Sequence, residues 1–162
     1  MSPEYLQRFG GIARLYGQAA LARFAAAHVC VVGIGGVGSW AAEALARSGI
    51  GHLTLIDLDD ICITNTNRQI PALQQTVGEL KIEAMAARIR AINLECRGAL
   101  VDDFITPDNL ADCLAPDLDY VVDAIDSIRA KVALVAWCKR HKLPIIVAGG
   151  AGGKTDPTQI RI

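Results

Sequence analysis

Apolar positions along the chain fall into two alternating rhythms. Short, continuous, β-branched-rich runs occur at Val29–Gly33 (VCVVG), His52–Asp57 (HLTLID), Cys96–Val101, Tyr120–Ala124 and Pro144–Ala148. Runs this short that end in glycine or an acid predict buried strands. Between them lie stretches of helical composition. Gly36–Ser48 stops at Gly49, Lys81–Ile92 carries Ile82, Met85 and Ile89 on one stripe, and a third runs from about Ser127 to His141. Thr106-Pro107-Asp108 predicts another helix start, with threonine as N-cap and proline at the first helical position. The alternation predicts an α/β fold, a mostly parallel sheet with helices on both faces. After the glycine-rich stretch Gly149–Gly153, Thr158–Ile162 reads as a strand only begun. A single domain over 1–162 is therefore expected to be the N-terminal or ordered part of a longer chain.

Composition narrows this picture. The 162 residues are 52% apolar and 20% charged, enough for one domain with a real core and too apolar for a mainly disordered chain. No apolar run approaches the length of a membrane span. Met1–Phe24 interleaves Glu4, Arg8, Arg14 and Arg23 with apolar residues, unlike a secretory signal. Cysteines stand at 30, 62, 96, 113 and 138, with no Cys-x-x-Cys pair to build a zinc site, and Cys30 reads as core. An odd, scattered set without a signal segment predicts a reducing, cytoplasmic setting. The formal charge of 16 − 17 = −1 argues against general coating of nucleic acid. Its distribution is uneven. Ala99–Asp126 holds eight acids and no Lys or Arg, whereas Ser127–Lys142 holds five bases (Arg129, Lys131, Lys139, Arg140, Lys142) and no acid. The basic block either offers RNA phosphates a surface or, more simply, is a solvated helix face beside an acidic neighbour.

The chemistry begins at Gly33-Ile34-Gly35-Gly36-Val37-Gly38, a glycine loop between a predicted strand and a predicted helix. Such a loop lets backbone approach phosphate or ribose at a helix N-terminus, which makes the sheet Rossmann-like. Asp57, 19 positions after Gly38, ends the next strand, where an acid accepts hydrogen bonds from ribose hydroxyls. These two features suit NAD and ATP equally. Asn65-Thr66-Asn67-Arg68-Gln69 and Lys81 tilt the reading to ATP, because adenylation needs fixed cations around three phosphates. Against this, Arg68 could be a solvated loop residue, and Lys81 reads equally as a surface lysine. Asp123 and Asp126 flank the end of a predicted strand and could hold Mg2+, or Asp126 could cap the following helix.

In order and spacing, the glycine loop, Asp57, Asn65, Arg68-Gln69, Lys81 and Asp126 resemble the ubiquitin-activating-type (ThiF-like) adenylyltransferase superfamily. That group includes the molybdopterin-synthase and thiamine sulfur-carrier activators. Arg8-Phe9-Gly10-Gly11, Ala13–Gly17, Gly35–Leu45, Asp59-Asp60, Thr64–Gln69, Gly149–Gly153 and Asp156–Ile160 resemble one branch of it, the tRNA threonylcarbamoyladenosine dehydratases. The resemblance implies ATP-dependent cyclisation of threonylcarbamoyladenosine 3′ of the anticodon in a tRNA substrate. It would run through an acyl-adenylate, with release of AMP and pyrophosphate. It implies that Gly33, Gly35, Gly36, Gly38, Asp57 and Asp59 seat the nucleotide, helped by Asn65. It also implies that Arg68 and Lys81 hold phosphates and that Asp126 binds or orients Mg2+. An N-terminal arginine, Arg8 or Arg14, would reach the ATP of a partner subunit, which implies a homodimer. The resemblance is compatible with sulfur-transfer or cysteine desulfurase partners and with membrane association through a C-terminal segment; DNA is not expected as a ligand. Two other readings remain open on the residues: an activator of the C-terminal carboxylate of a ubiquitin-like sulfur carrier, and a nucleotide-binding regulatory domain without catalysis.

Overall fold

Five parallel strands carry the molecule: β1 (His28–Val32), β2 (His52–Ile56), β3 (Arg97–Val101), β4 (Tyr120–Asp123) and β5 (Ile145–Val147), in the order β3-β2-β1-β4-β5. The computed structural model describes residues 1–150, 153 and 155–159. Two helices precede the sheet, α1 (Pro3–Tyr16) and α2 (Gln18–Ala26), and four connect successive strands: α3 (Gly38–Arg47), α4 (Lys81–Ile92), α5 (Leu110–Cys113) and α6 (Ile128–His141). Successive strand residues point to opposite faces, and the central strands are apolar on both. Val29, Val31, Leu53 and Leu55 pack with Ala42, Ala46, Met85 and Ile89 of α3 and α4. Cys30, Val32, Ile56 and Val121 pack with Leu110 and Cys113 of α5 and Leu134 and Cys138 of α6. The predicted Rossmann-like, three-layer α/β architecture is thus present. Strand order reverses between β1 and β4, the place where ligands of such sheets bind.

Strand and helix ends agree with the sequence reading to within a residue or two, and Lys81–Ile92 is helical over its whole predicted length. Two predictions fail. Thr106-Pro107-Asp108 starts no helix; the Asn109 side chain accepts the Thr106 N–H at 2.8 Å and donates to the Phe104 carbonyl at 2.8 Å. That network stabilises a turn and moves the N-cap to Asn109, ahead of the four-residue α5. The strand expected at Thr158–Ile162 is not formed at Thr158–Gln159, which lie in a 3-10 turn spanning Pro157–Gln159. Ile160–Ile162 lie outside the described residues, as do Ala151 and Gly152 of the glycine-rich stretch. No described helix is long and apolar enough to cross a membrane. The α1–α2 hairpin was not foreseen. Ser2 caps α1 by accepting the Tyr5 N–H, and Tyr5, Phe9 and Leu21 form a small core of their own. The Tyr5 hydroxyl donates to the Gly49 carbonyl at 2.5 Å, anchoring the hairpin at the end of the sheet where β2 begins.

Glu43 of α3 clamps α3 to α4. Its carboxylate accepts from Arg88 Nε at 2.5 Å and from Arg47 Nε at 2.7 Å, and its side chain is 7% exposed. Burial would raise its pKa, but hydrogen bonds from the two guanidinium groups outweigh burial and hold it below the ordinary glutamate value. A depressed carboxylate contributes stability above its unfolded pKa and loses it as pH falls through the folded one. Glu43→Gln is therefore expected to cost about 1–2 kcal/mol at pH 7, modest because both arginines reach solvent. In thermal melts the gap between wild type and variant should close as pH falls through and below about 4.3.

Candidate nucleotide site at the switch point

The chain leaves β1 through Gly33, whose φ of 87° a larger residue would adopt only with strain. Gly38 opens α3 so close to this turn that a Cβ on it would lie 1.7 Å from the Gly33 carbonyl oxygen. These two glycines are required by the chain's own packing. Gly35 and Gly36 are not. A Cβ on Gly35 would meet only Gln69 Nε2, at 4.0 Å, and one on Gly36 would meet the Arg68 side chain, its Cγ at 3.3 Å. Their bareness opens the backbone in front of the α3 N-terminus, where N–H groups favour an anion.

Asp57 follows β2 and is buried. One of its carboxylate oxygens accepts the Ile34 N–H at 2.6 Å, the other the Asp59 N–H at 2.9 Å. It thereby pins the glycine loop to the end of the neighbouring strand. Lys81, the first residue of α4, is no surface lysine. Its side chain is 7% exposed, with Nζ 2.6 Å from Asp59 Oδ2 and 4.0 Å from Asp57 Oδ1. An antiparallel pinch explains this placement. The Lys81 N–H donates to the Asp59 carbonyl and the Ile61 N–H to the Glu79 carbonyl, closing residues 61–80 into an excursion.

That excursion folds back over α3. Trp40 Nε1 donates to the Arg68 carbonyl at 2.9 Å, and the Ile70 N–H reaches Ser39 Oγ at 3.4 Å. Arg68 consequently lies across Gly36 with its guanidinium exposed, held by the Thr64 carbonyl and Asn67 Oδ1 at 3.2 and 3.0 Å. Asn65 accepts the Cys62 N–H at 3.0 Å through Oδ1, capping the 3-10 turn Ile63–Asn65. Gln69 is buried against the loop, and its Oε1 finds no hydrogen-bond partner among the described residues. It entered the sequence reading only as a motif neighbour of Arg68; its burial was not legible.

The two acids at the end of β4 separate. Asp123 is fully buried, its Oδ2 bound to Lys131 Nζ at 2.6 Å and its Oδ1 accepting the Ile125 N–H at 3.1 Å. With both oxygens engaged it is unsuited to Mg2+, contrary to the expectation that two carboxylates share that task. Asp126 is exposed. Its loop abuts the glycine turn, since a Cβ on Gly33 would meet the Ala124 carbonyl oxygen and Ile125 Cγ2, both at 3.0 Å. Lys131 also leaves the basic surface block, whereas Arg129, Lys139, Arg140 and Lys142 are exposed.

The glycine loop, Asp57, Asp59, Arg68, Lys81 and the Asp126 loop thus converge at the C-terminal ends of β1, β2 and β4. Arg8 and Arg14 do not join them, because α1 is anchored at the opposite end of the sheet, where the strands begin. Arg8 is bound by Glu4 at 2.8 Å and by the Ile92 carbonyl at 3.3 Å. Arg14 is exposed in the last turn of α1, with no ion pair among the described residues.

Residues 10–161 match the family model described as the ThiF family. The chain is 64% identical to the tRNA threonylcarbamoyladenosine dehydratase of Escherichia coli strain K12 over 162 residues, all of this chain and 60% of the relative. It is 61% identical to the dehydratase of the same name from Haemophilus influenzae, over 98% of this chain and 61% of that protein. A solved structure of the E. coli dehydratase in complex with ATP superposes with a TM-score of 0.96 at 64% identity, covering 99% of this chain and 66% of that one. The chain spans about 60% of the length of the curated relatives it matches. The resemblance read from its motifs is borne out: the chain belongs to the ThiF family.

Proposed function

We propose that residues 1–162 are the ATP-binding domain of an ATP-dependent tRNA threonylcarbamoyladenosine dehydratase that works by adenylation. The observation that carries this reading is the bare backbone at Gly35, beside Gly36 with the Arg68 side chain across it and near the buried Lys81 held by Asp57 and Asp59. A pyrophosphate seat alone would not call for both cations. Similarity to a dehydratase solved with ATP supplies the substrate class.

In this mechanism the glycine loop and Asp57 seat the adenosine, and Asp57 trades its Ile34 hydrogen bond for ribose hydroxyls. The Gln69 amide and the Asn65 NH2 group add neutral contacts. Lys81 turns from Asp59 to the phosphates, and Arg68, already lying across Gly36, turns its guanidinium from Thr64 and Asn67 toward them. The two cations then stabilise charge as the threonyl carboxylate attacks the α-phosphate and pyrophosphate leaves. Attack by the carbamoyl group on the resulting acyl-adenylate expels AMP, a far better leaving group than an oxide, and closes the ring. Asp126, exposed beside the glycine turn, is the carboxylate that would hold Mg2+, and the ion would supply neutralisation of phosphate charge. Arg14, unlike the engaged Arg8, is the residue to reach the ATP of a second subunit, so the working enzyme is a homodimer. Arg129, Lys139, Arg140 and Lys142 provide a cationic face for tRNA phosphates, and the cellular setting is cytoplasmic.

The decisive measurement is nucleoside mass spectrometry after incubating threonylcarbamoyl-tRNA with the full-length protein and ATP. An ATP-dependent loss of one water is the expected result, with Arg68→Ala and Lys81→Ala each slower by the equivalent of about 1–3 kcal/mol, as for a lost charge-assisted hydrogen bond. An unchanged nucleoside mass, together with ATP–pyrophosphate exchange driven only by a sulfur-carrier protein, would overturn the dehydratase reading.

A further inference from the structure

A second cluster of ligand-type side chains sits at the other end of the sheet, where β1 and β2 begin. His28 and His52 are register partners across the parallel pair, and their rings stack with centroids 3.5 Å apart and planes 9° from parallel. Asp117, in the loop between α5 and β4, approaches from the side; its Oδ2 is 3.2 Å from His28 Nδ1. One ligand atom from each residue lies within 4.8 Å of the other two. The three line a cleft of about 350 Å³ together with Glu95, Arg97 and Asp119.

Hydrogen bonding makes this more than a chance grouping. His28 is 4% exposed, yet its Nδ1 has no hydrogen-bond partner among the described residues, with Asp117 Oδ2 lying 3.2 Å away. The other ring nitrogen, Nε2, lies 2.8 Å from Thr54 Oγ1. In the tautomer whose Nε2–H donates to that hydroxyl, Nδ1 turns a lone pair toward a carboxylate oxygen. Two acceptors at that distance are satisfied by a shared proton or by a metal cation. An imidazole whose far N–H is fixed by a protein acceptor is also the usual arrangement around a bound metal. His52, stacked on His28 across the parallel strands, supplies the second nitrogen.

We propose that His28 Nδ1, His52 and Asp117 form a binding site for a divalent transition metal of the zinc class, separate from the nucleotide site. Two imidazoles and one carboxylate suit this borderline class better than Mg2+ or Ca2+, which favour all-oxygen sets. Three protein ligands leave a fourth position open to water on the cleft side. Stacked rings direct their lone pairs in parallel, so capture requires His52 to rotate; its partly exposed position at the start of β2 permits this. Bound metal would tie the Asp117 loop to the first residues of β1 and β2. This inference is independent of the dehydratase reading.

The test uses full-length protein freed of metal by chelation and titrated with Zn2+ against a chromophoric competitor. The comparison is a His52→Ala/Asp117→Asn double variant, which spares the buried His28, with Cys62→Ser as a control for thiol binding. Wild type should bind one more equivalent of Zn2+ than the double variant, with each single substitution weakening that equivalent at least tenfold. Co2+ in its place should show visible absorption without thiolate charge transfer, and Zn2+ should raise the melting temperature of wild type but not of the double variant. Equal stoichiometry in wild type and double variant, or loss of the extra equivalent in Cys62→Ser, would overturn the proposal.

Discussion

Gly38→Ala and Gly35→Ala are expected to fail in different ways, and the contrast tests the reading of the glycine loop. At Gly38 the new methyl would sit 1.7 Å from the Gly33 carbonyl oxygen and 3.1 Å from Ala124 Cβ. Neither the strand end nor the β4 loop can yield without moving α3 off the sheet. Overpacking against backbone is expected to cost about 3 kcal/mol, which in a domain of this size lowers the melting temperature by roughly 6–12 °C. Nucleotide binding falls with it, since the loop N–H groups are displaced. At Gly35 the methyl meets only Gln69 Nε2, at 4.0 Å, and φ is not positive, so melting should be unchanged. ATP affinity should nevertheless drop at least tenfold, about 1.4 kcal/mol, because the methyl occupies the approach to the backbone. Calorimetric melting and ATP titration of the two variants check both halves. If Gly35→Ala binds ATP as wild type does, the nucleotide does not lie against that part of the loop.

That contrast also marks how far the sequence could be read. The sheet, its helices and the glycine loop were legible because each depends on local signals: short β-branched runs, a helical stripe at Ile82, Met85 and Ile89, and glycines between a strand and a helix. Asp57 was legible for the same reason, standing where a strand ends. Partners brought together by the excursion over 61–80 were not. Lys81 looked as much like a surface lysine as a ligand, and only the pinch between Asp60 and Leu80 buries it beside Asp57 and Asp59. Thr106 failed as an N-cap because the chain after it stays in a turn held by the Asn109 side chain, and the helix begins only behind Asn109, an offset that spacing does not decide. The cluster of His28, His52 and Asp117 was invisible for a simpler reason. Its members are 24 and 65 positions apart in sequence and meet only through strand register and a loop return.

Charge was the least legible feature, and Lys131 shows why. In sequence it is one base among five on a helix that follows an acidic block. In the fold it is the partner of Asp123, which is 0% exposed, and it also donates to the Ala148 carbonyl at 3.1 Å, joining the ends of β4 and β5. Lys131→Met would leave that carboxylate buried without its countercharge, a loss of about 3–5 kcal/mol. The melting temperature is then expected to fall by roughly 6–20 °C. Replacing both partners, Lys131→Met with Asp123→Leu, removes the uncompensated charge and should recover much of that loss. It should not recover function. Asp123 Oδ1 holds the Ile125 N–H, and that loop carries Asp126 and abuts the glycine turn. The double variant is therefore expected to melt near wild type yet turn over ATP at least tenfold more slowly. Melting curves and ATP–pyrophosphate exchange measured on the same preparations separate the two roles. Full activity in the double variant would show that the pair stabilises the sheet edge without positioning the Asp126 loop.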